Sequence, residues 1–164
     1  MSSKPLTIVA SHVTPKAVVI DLALQGDTLT ANACVARELL KLLPTIVEHA
    51  CVSGGVGRFG EKLEGALLPH IVEHVAIDLL VRGQKDSPTL CRPPCAPSVP
   101  TGVPAPATAF AGNTSWLDKD RGIMRVRVSY DDPTVTKAAL CKAIDLVNGL
   151  VMQTNGANES IVEA

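Results

Sequence analysis

Residues 70 to 74 read His-Ile-Val-Glu-His, and their types and spacing suit them to hold a metal and move a proton. On a helix, positions i and i+4 lie on one face a single turn apart, so His70 and His74 can share one ion between their imidazoles. Glu73 falls on the same side, three residues after His70, where its carboxylate can serve as a general base toward water. The order H-x-x-E-H is one of those used by metallopeptidases. Zinc suits imidazole ligands and lowers the pKa of water bound to it to about 7. The expected cofactor is therefore zinc or a similar divalent metal.

Two imidazoles are too few for a zinc site. Asp78 lies one turn beyond His74, but i, i+4 and i+8 span about 12 Å along a helix. It is expected to orient His74 from behind or to meet solvent. The third ligand must come from another element. Cys141 and Asp145 on the last helix are the leading candidates, because a thiolate is a good zinc ligand; Cys141 reads equally well as a small buried core residue. His49 and Cys51, in the loop before the long helix, come after them, and His12 comes last.

The elements that must position these groups follow from pattern. Ala17 to Leu24 is β-branched at its start and ends at Gln25-Gly26-Asp27, a strand and a turn. Thr30 can cap a helix on which Ala33, Ala36, Leu39, Leu40 and Leu43 recur at helical spacing, stopped by Pro44. Ser53-Gly54-Gly55-Val56-Gly57 is a connecting loop; no Gly-Lys-Ser/Thr follows to make it a phosphate cradle. A long helical segment runs from about Phe59 to Arg82, interrupted near Pro69, with Gly83 as its C-cap. Its stripe of Ile71, Val72, Val75, Ala76 and Leu79 faces the core, and His70, Glu73, His74 and Asp78 form the adjoining polar stripe. Residues 86 to 109, rich in Pro, Ala, Ser and Thr, read as a mobile surface insertion. Ile123 to Tyr130 alternates as a half-buried strand does. After Asp131-Asp132-Pro133 comes a last helix with Ala138, Cys141, Ile144, Leu146 and Val147 toward its inner face, frayed beyond Leu150. These elements predict one α+β domain over residues 1–164, with helices on one face of a mostly antiparallel sheet.

Composition narrows the functional classes. With 46% hydrophobic but only 2% aromatic residues, the core must be built from Leu, Val, Ile and Ala. A net charge of -1 offers no electrostatic footprint for nucleic acid or an anionic membrane. The apolar run from Leu6 to Ala10 is too short for a signal or spanning segment. Five scattered cysteines suit reduced thiols in a cytoplasmic setting.

Several stretches together resemble the N-terminal domain of cyanophycin synthetases: Leu42-Leu43-Pro44, Glu48-His49-Ala50-Cys51, Gly57-Arg58-Phe59-Gly60-Glu61-Lys62-Leu63-Glu64-Gly65-Ala66, and His70 to Ala76. Gly112-Asn113-Thr114-Ser115 resembles a downstream turn of that family, and Ile123 to Asp132 its following strand. The resemblance implies a stand-alone version of a domain that elsewhere precedes two ligase domains. It implies amide or peptide hydrolysis of cyanophycin or related Asp-Arg material, or else a non-catalytic module that binds polymer or partner and works with a separate ligase. It places Arg58 and Thr114, with Asp78, among residues that support the site or touch substrate. The expected partner is a small peptide or an Asp-Arg polymer, with no nucleic acid and no membrane, and a homo-oligomer is compatible. The helix is also similar to those of processing-type peptidases and S-ribosylhomocysteine lyase; in the lyase a downstream cysteine completes the metal site, which favours Cys141. A lyase acting on a small sugar thioether would share the metal chemistry. Departures from the family pattern are Ala66 for threonine, Pro69 before the first histidine, Ser115 for arginine and Asp78 for glutamate.

Deleting residues 88–106 should leave the rest of the chain folded, because that composition has little to bury and changes of loop length cost little entropy. A shortened protein that melts far below the parent would show the stretch to be structural.

Overall fold

A computed structural model describes residues 4–26, 28–52, 55–86 and 109–162. Its first strand, β1 (Leu6–Val13), turns at Thr14 into β2 (Ala17–Leu24), and the Thr14 hydroxyl accepts the Ala17 N–H at 3.0 Å. The sheet is completed by β5 (Gly112–Asp118) and β6 (Ile123–Ser129) in the order β1-β2-β6-β5, antiparallel throughout. Gly122 sits at φ 64° in the β5–β6 turn, a conformation glycine adopts without a Cβ clash. Between β2 and β5 come α1 (Ala33–Leu42), a 3₁₀ turn at Pro44–Glu48, the short pair β3 (Ala50–Cys51) and β4 (Gly57–Arg58), a 3₁₀ turn at Phe59–Glu61, and α2 (Leu68–Asp86). The chain then closes with α3 (Pro133–Val162).

The two strands expected from sequence are present, and the domain is α+β as expected. Val18, Ile20 and Leu22 of β2 and Val126 and Val128 of β6 point from one face into the core, where α2 lies over β5 and β6 and α3 over β1 and β2. On the opposite face Arg125 forks onto its cross-strand partner Asp21, at 2.7 and 2.9 Å. Alternation of side chains along a strand explains the division: even positions of β2 go to the helices and odd positions to the other face.

Several local expectations give way to better hydrogen bonding or packing. Asn32, not Thr30, caps α1, accepting the Val35 N–H at 2.9 Å; Thr30 forms a bridge with Leu67 instead. Phe59 and His70 do not share one helix, because the chain makes a tight 3₁₀ turn at Phe59–Glu61 and a left-handed turn at Gly65 before α2 begins. Pro69 falls in the first turn of α2, where its missing N–H costs nothing. Gly83 lies inside α2, which continues to Asp86. The stretch Gly112–Ser115, compared above to a turn, is strand, fixed by its ladder to β6. On α3 the buried positions are Thr136, Ala139, Leu140, Ala143, Ile144, Val147, Asn148, Leu150 and Val151, whereas Ala138 is exposed and Cys141 lies on the flank. α3 also runs on past Leu150 to Val162. The Pro-rich insertion falls almost wholly at 87–108, outside the described residues. Among the described residues no helix is long and apolar enough to cross a membrane.

One buried polar contact ties the last helix to the first strand. The Asn148 side chain accepts the Leu6 N–H and donates to the Leu6 carbonyl, both at 2.9 Å, at a position 3% exposed. Asn148→Leu should cost about 1–3 kcal/mol by leaving both backbone groups buried and unpaired. Urea unfolding reads the loss, and a midpoint equal to the parent's would contradict it.

Candidate metal centre

α2 is enclosed around its first two turns. Leu68, Ile71, Val72, Val75 and Ala76 are buried in the core, and Glu73, His74 and Asp78 are also buried, at 5%, 3% and 2% exposure. His70 is half-buried. The polar stripe read from the sequence is therefore covered rather than solvated. Its cover is the segment from Thr45 to Phe59 on one side and β5 on the other.

Cys51, His70 and His74 offer ligand atoms that all lie within 4.8 Å of one another. The Cys51 sulfur is 3.3 Å from His70 Nε2. Zinc bonds of 2.0–2.3 Å in a tetrahedron place ligand atoms roughly 3.3–3.7 Å apart, so a small closing movement would seat an ion. Among the described residues this is the group that could hold a metal, and the soft thiolate with two imidazoles suits zinc. The thiol beside the histidines thus belongs to Cys51. Cys141 is outside the group, on the flank of α3 between exposed Ala138 and exposed Asp145. Asp145 faces Lys4 at 3.8 Å, and His12 is exposed on β1.

A chain of hydrogen bonds supports His74 from behind. His49 Nδ1 is 3.4 Å from His74 Nδ1, and His49 Nε2 is 3.2 Å from Asp78 Oδ1. With a carboxylate at its Nε2, His49 carries its proton there and presents a lone pair at Nδ1. His74 then donates from Nδ1 and keeps its Nε2 lone pair for a metal. Asp78 is anchored in turn by the Thr45 hydroxyl at 2.6 Å and by Arg82 at 2.7 Å, while Arg82 also donates to Thr45 at 3.0 Å. Asp78 reaches His74 through His49 rather than directly. Phe59 stacks on the His74 ring, centroids 3.8 Å apart.

Glu73 lies on the β5 side. The Thr114 hydroxyl donates to its Oε2 at 2.5 Å, and His70 Nδ1 is 3.7 Å from the same oxygen. Gly112 makes the approach feasible: a Cβ there would sit 2.5 Å from Glu73 Cγ and Oε1. Arg58, by contrast, is exposed and pairs with Glu48 at 2.8 Å. Two clefts flank the cluster, one of ≈ 600 Å³ and one of ≈ 520 Å³, and both are lined by His70 and Thr114.

Burial sets the protonation states. It lowers His70, helped by the Lys62 charge, and lowers His49 against the pull of Asp78. His74 falls from 6.5 to about 3, through burial first and the neighbouring His70 and His49 second. Burial raises Glu73, partly opposed by the Thr114 hydrogen bond. The imidazoles are thus neutral, as ligands must be, and the carboxylate is more basic than usual.

His49 and Cys51, which the structure brings beside the two helix histidines, carry a signal of their own in the sequence. In extended backbone, positions i and i+2 point the same way, so a His-x-Cys strand aims both side chains at one target. Gly112 and Thr45 had no such signal, since their roles exist only once β5 and the 3₁₀ turn lie against α2.

The fold and site define an α+β domain with a Cys-His-His cluster and an adjacent buried glutamate. Residues 17–86, which hold the whole cluster, match the family described as the cyanophycin synthase-like N-terminal domain. Cyanophycin synthetases of Crocosphaera subtropica, Geminocystis herdmanii and Synechocystis are similar: 50%, 48% and 48% identical over 42 residues, 25% of this chain. The matched stretch is 5% of the length of each of those synthetases, so the likeness is to a small part of them.

The pH dependence of stability tests the buried imidazoles. In metal-free protein the unfolded His74 titrates near 6.5 and the folded one near 3. Its contribution is therefore present above about 6.5 and lost as pH falls toward 3, at about 1.4 kcal/mol per pH unit. Glu73 works in the opposite sense, because its raised value favours the folded state at low pH. The difference between wild type and His74→Gln isolates the imidazole: on going from pH 6 to pH 5 the wild type should lose about 1.2 kcal/mol more than the variant. Parallel urea-unfolding profiles for the two proteins would show that His74 is not desolvated.

Proposed function

We propose that this domain is a metal-dependent hydrolase of amide or peptide bonds, with zinc as the expected ion. The observation that carries the reading is the placement of Glu73: a buried carboxylate with raised basicity, in the wall of the same cleft that takes in Cys51, His70 and His74. Cys51, His70 and His74 would hold the ion, which when bound supplies Lewis acidity toward a carbonyl and toward water.

The remaining steps belong to the chain itself. The Thr114 hydroxyl donates to Oε2 of Glu73, the oxygen 3.7 Å from His70 Nδ1, and so holds the carboxylate beside the cluster. Glu73 takes a proton from the attacking water and returns it to the leaving amine, so that one carboxyl acts as base and then acid. Packing between Gly112 and α2 holds the carboxylate in one place, which spares the entropy of ordering it during reaction. Asp78, through His49, keeps the His74 tautomer that ligation requires.

The similarity to cyanophycin synthetases supports a polyamide substrate, cyanophycin being an Asp backbone with Arg side chains, and β-Asp-Arg peptides are the related small substrates. A binding module that works with a separate ligase remains the competing reading, and one variant separates the two. Glu73→Gln should retain the metal content of the wild type and lower hydrolysis of Asp-Arg polymer by about 10²- to 10⁴-fold. Loss of metal in that variant would make Glu73 a ligand. A wild type that binds one zinc per chain yet cleaves nothing on a broad amide panel would give the binding-module reading the field.

A further inference from the structure

β5 is an edge strand, and it borders the candidate site along its length. The direction of its backbone groups follows from two hydrogen bonds. Ser129 N–H donates to the Ala111 carbonyl at 2.8 Å, which makes 111/129 a hydrogen-bonded pair. In an antiparallel ladder such pairs alternate, so Asn113 and Ser115 also bond to β6, through Arg127 and Arg125. Leu24 N–H donates to the Gly122 carbonyl at 2.9 Å, and the same alternation directs Val126 and Val128 of β6 toward β2. The two ladders agree. The N–H and C=O groups of Gly112 and Thr114, and the N–H of Trp116, therefore point away from β6 along the open edge.

Those same residues lie on the sheet face that meets α2, since Thr114 contacts Glu73 and Gly112 abuts it. The two clefts follow the strand: one is lined by Gly112, Asn113 and Thr114 together with Cys51, the other by Thr114, Ser115 and Trp116. His70 and Thr114, common to both, mark the midpoint. The result is a trough about 13 Å long from Gly112 to Trp116, with unpaired main-chain groups on one wall and the cluster on its floor. Among the described residues nothing pairs with this edge. An open, uncharged edge is ordinarily an aggregation liability that proteins cover or break up. Here the bulge between Trp116 and Asp118 ends it just past the trough.

We propose that the β5 edge binds the main chain of an extended polypeptide, which adds as a fifth strand across the cluster. The proposal rests on the hydrolase reading and names its substrate class: a polyamide recognised through its α-peptide backbone, not through one side chain. Strand addition gives affinity from main-chain hydrogen bonds and places alternate side chains toward and away from the site. A polymer of aspartate units with arginine on each side chain fits, because every second arginine would then stand in solvent.

The test uses the full-length Glu73→Gln chain with zinc and a ten-residue poly-α-aspartate bearing arginine on each side-chain carboxyl. Trp116, the sole tryptophan, reports binding by fluorescence. Amide hydrogen exchange by NMR reports pairing: Gly112, Thr114 and Trp116 should slow at least tenfold on binding, while Asn113 and Ser115 stay as they were. Trp116→Pro removes an outward N–H without breaking the ladder, so it should weaken binding at least tenfold relative to Trp116→Ala, as measured by calorimetry. A peptide that binds, and is cleaved by the wild type, with no change at the three amides would overturn strand addition and leave the hydrolase reading standing. A peptide neither bound nor cleaved would overturn both.

Discussion

Removal of two imidazoles and a carboxylate from water at one spot on α2 is the constraint that shapes the rest of this domain. Burial favours the uncharged form of each group, so the histidines become neutral and Glu73 becomes more basic. Neutral imidazoles are metal ligands, and a basic carboxylate accepts protons. Both properties follow from the packing that covers α2. The cost of burying polar atoms is met by specific partners: Thr114 for Glu73, His49 for His74, and Thr45 and Arg82 for Asp78.

Each cover serves a second purpose. The segment from Thr45 to Phe59 delivers His49 and Cys51 from one extended stretch, so the thiol ligand and the support for His74 arrive together. Phe59, fully buried against His74, fixes the ring plane while it closes the core. On the opposite side β5 can approach Glu73 because Gly112 has no side chain, and the strand remains at the sheet edge. Sheet, helix and loop thus meet at His70 and Thr114. Substitution at Gly112 would act on Glu73 although the glycine has no chemistry of its own.

Much of this was legible in the sequence where local pattern decides the outcome. The alternation of Ile123 to Tyr130, the β-branched run from Ala17 and the helical spacing of Ala33 to Leu43 each encode their element. The i, i+3, i+4 relation of His70, Glu73 and His74 encodes a shared face. What stayed hidden depends on contacts distant in sequence. β1 has a short apolar start and then exposed residues, and it is strand because β2 pairs with it. β5 likewise shows little burial pattern and is defined by β6. The preference for Cys141 over Cys51 assumed that the last helix would turn that thiol toward α2. Leu140, Ile144 and Val147 set the helix rotation instead and leave Cys141 at the flank.

The central claim is that Cys51, His70 and His74 form one metal site, and X-ray absorption at the zinc K-edge addresses it directly. Protein loaded with one equivalent of zinc should show a single sulfur scatterer at about 2.3 Å and two or three nitrogen or oxygen scatterers at about 2.0–2.1 Å. The sulfur signal should vanish in Cys51→Ser and persist in Cys141→Ser. A sulfur shell unchanged in Cys51→Ser, or no sulfur shell in the wild type, would contradict the account.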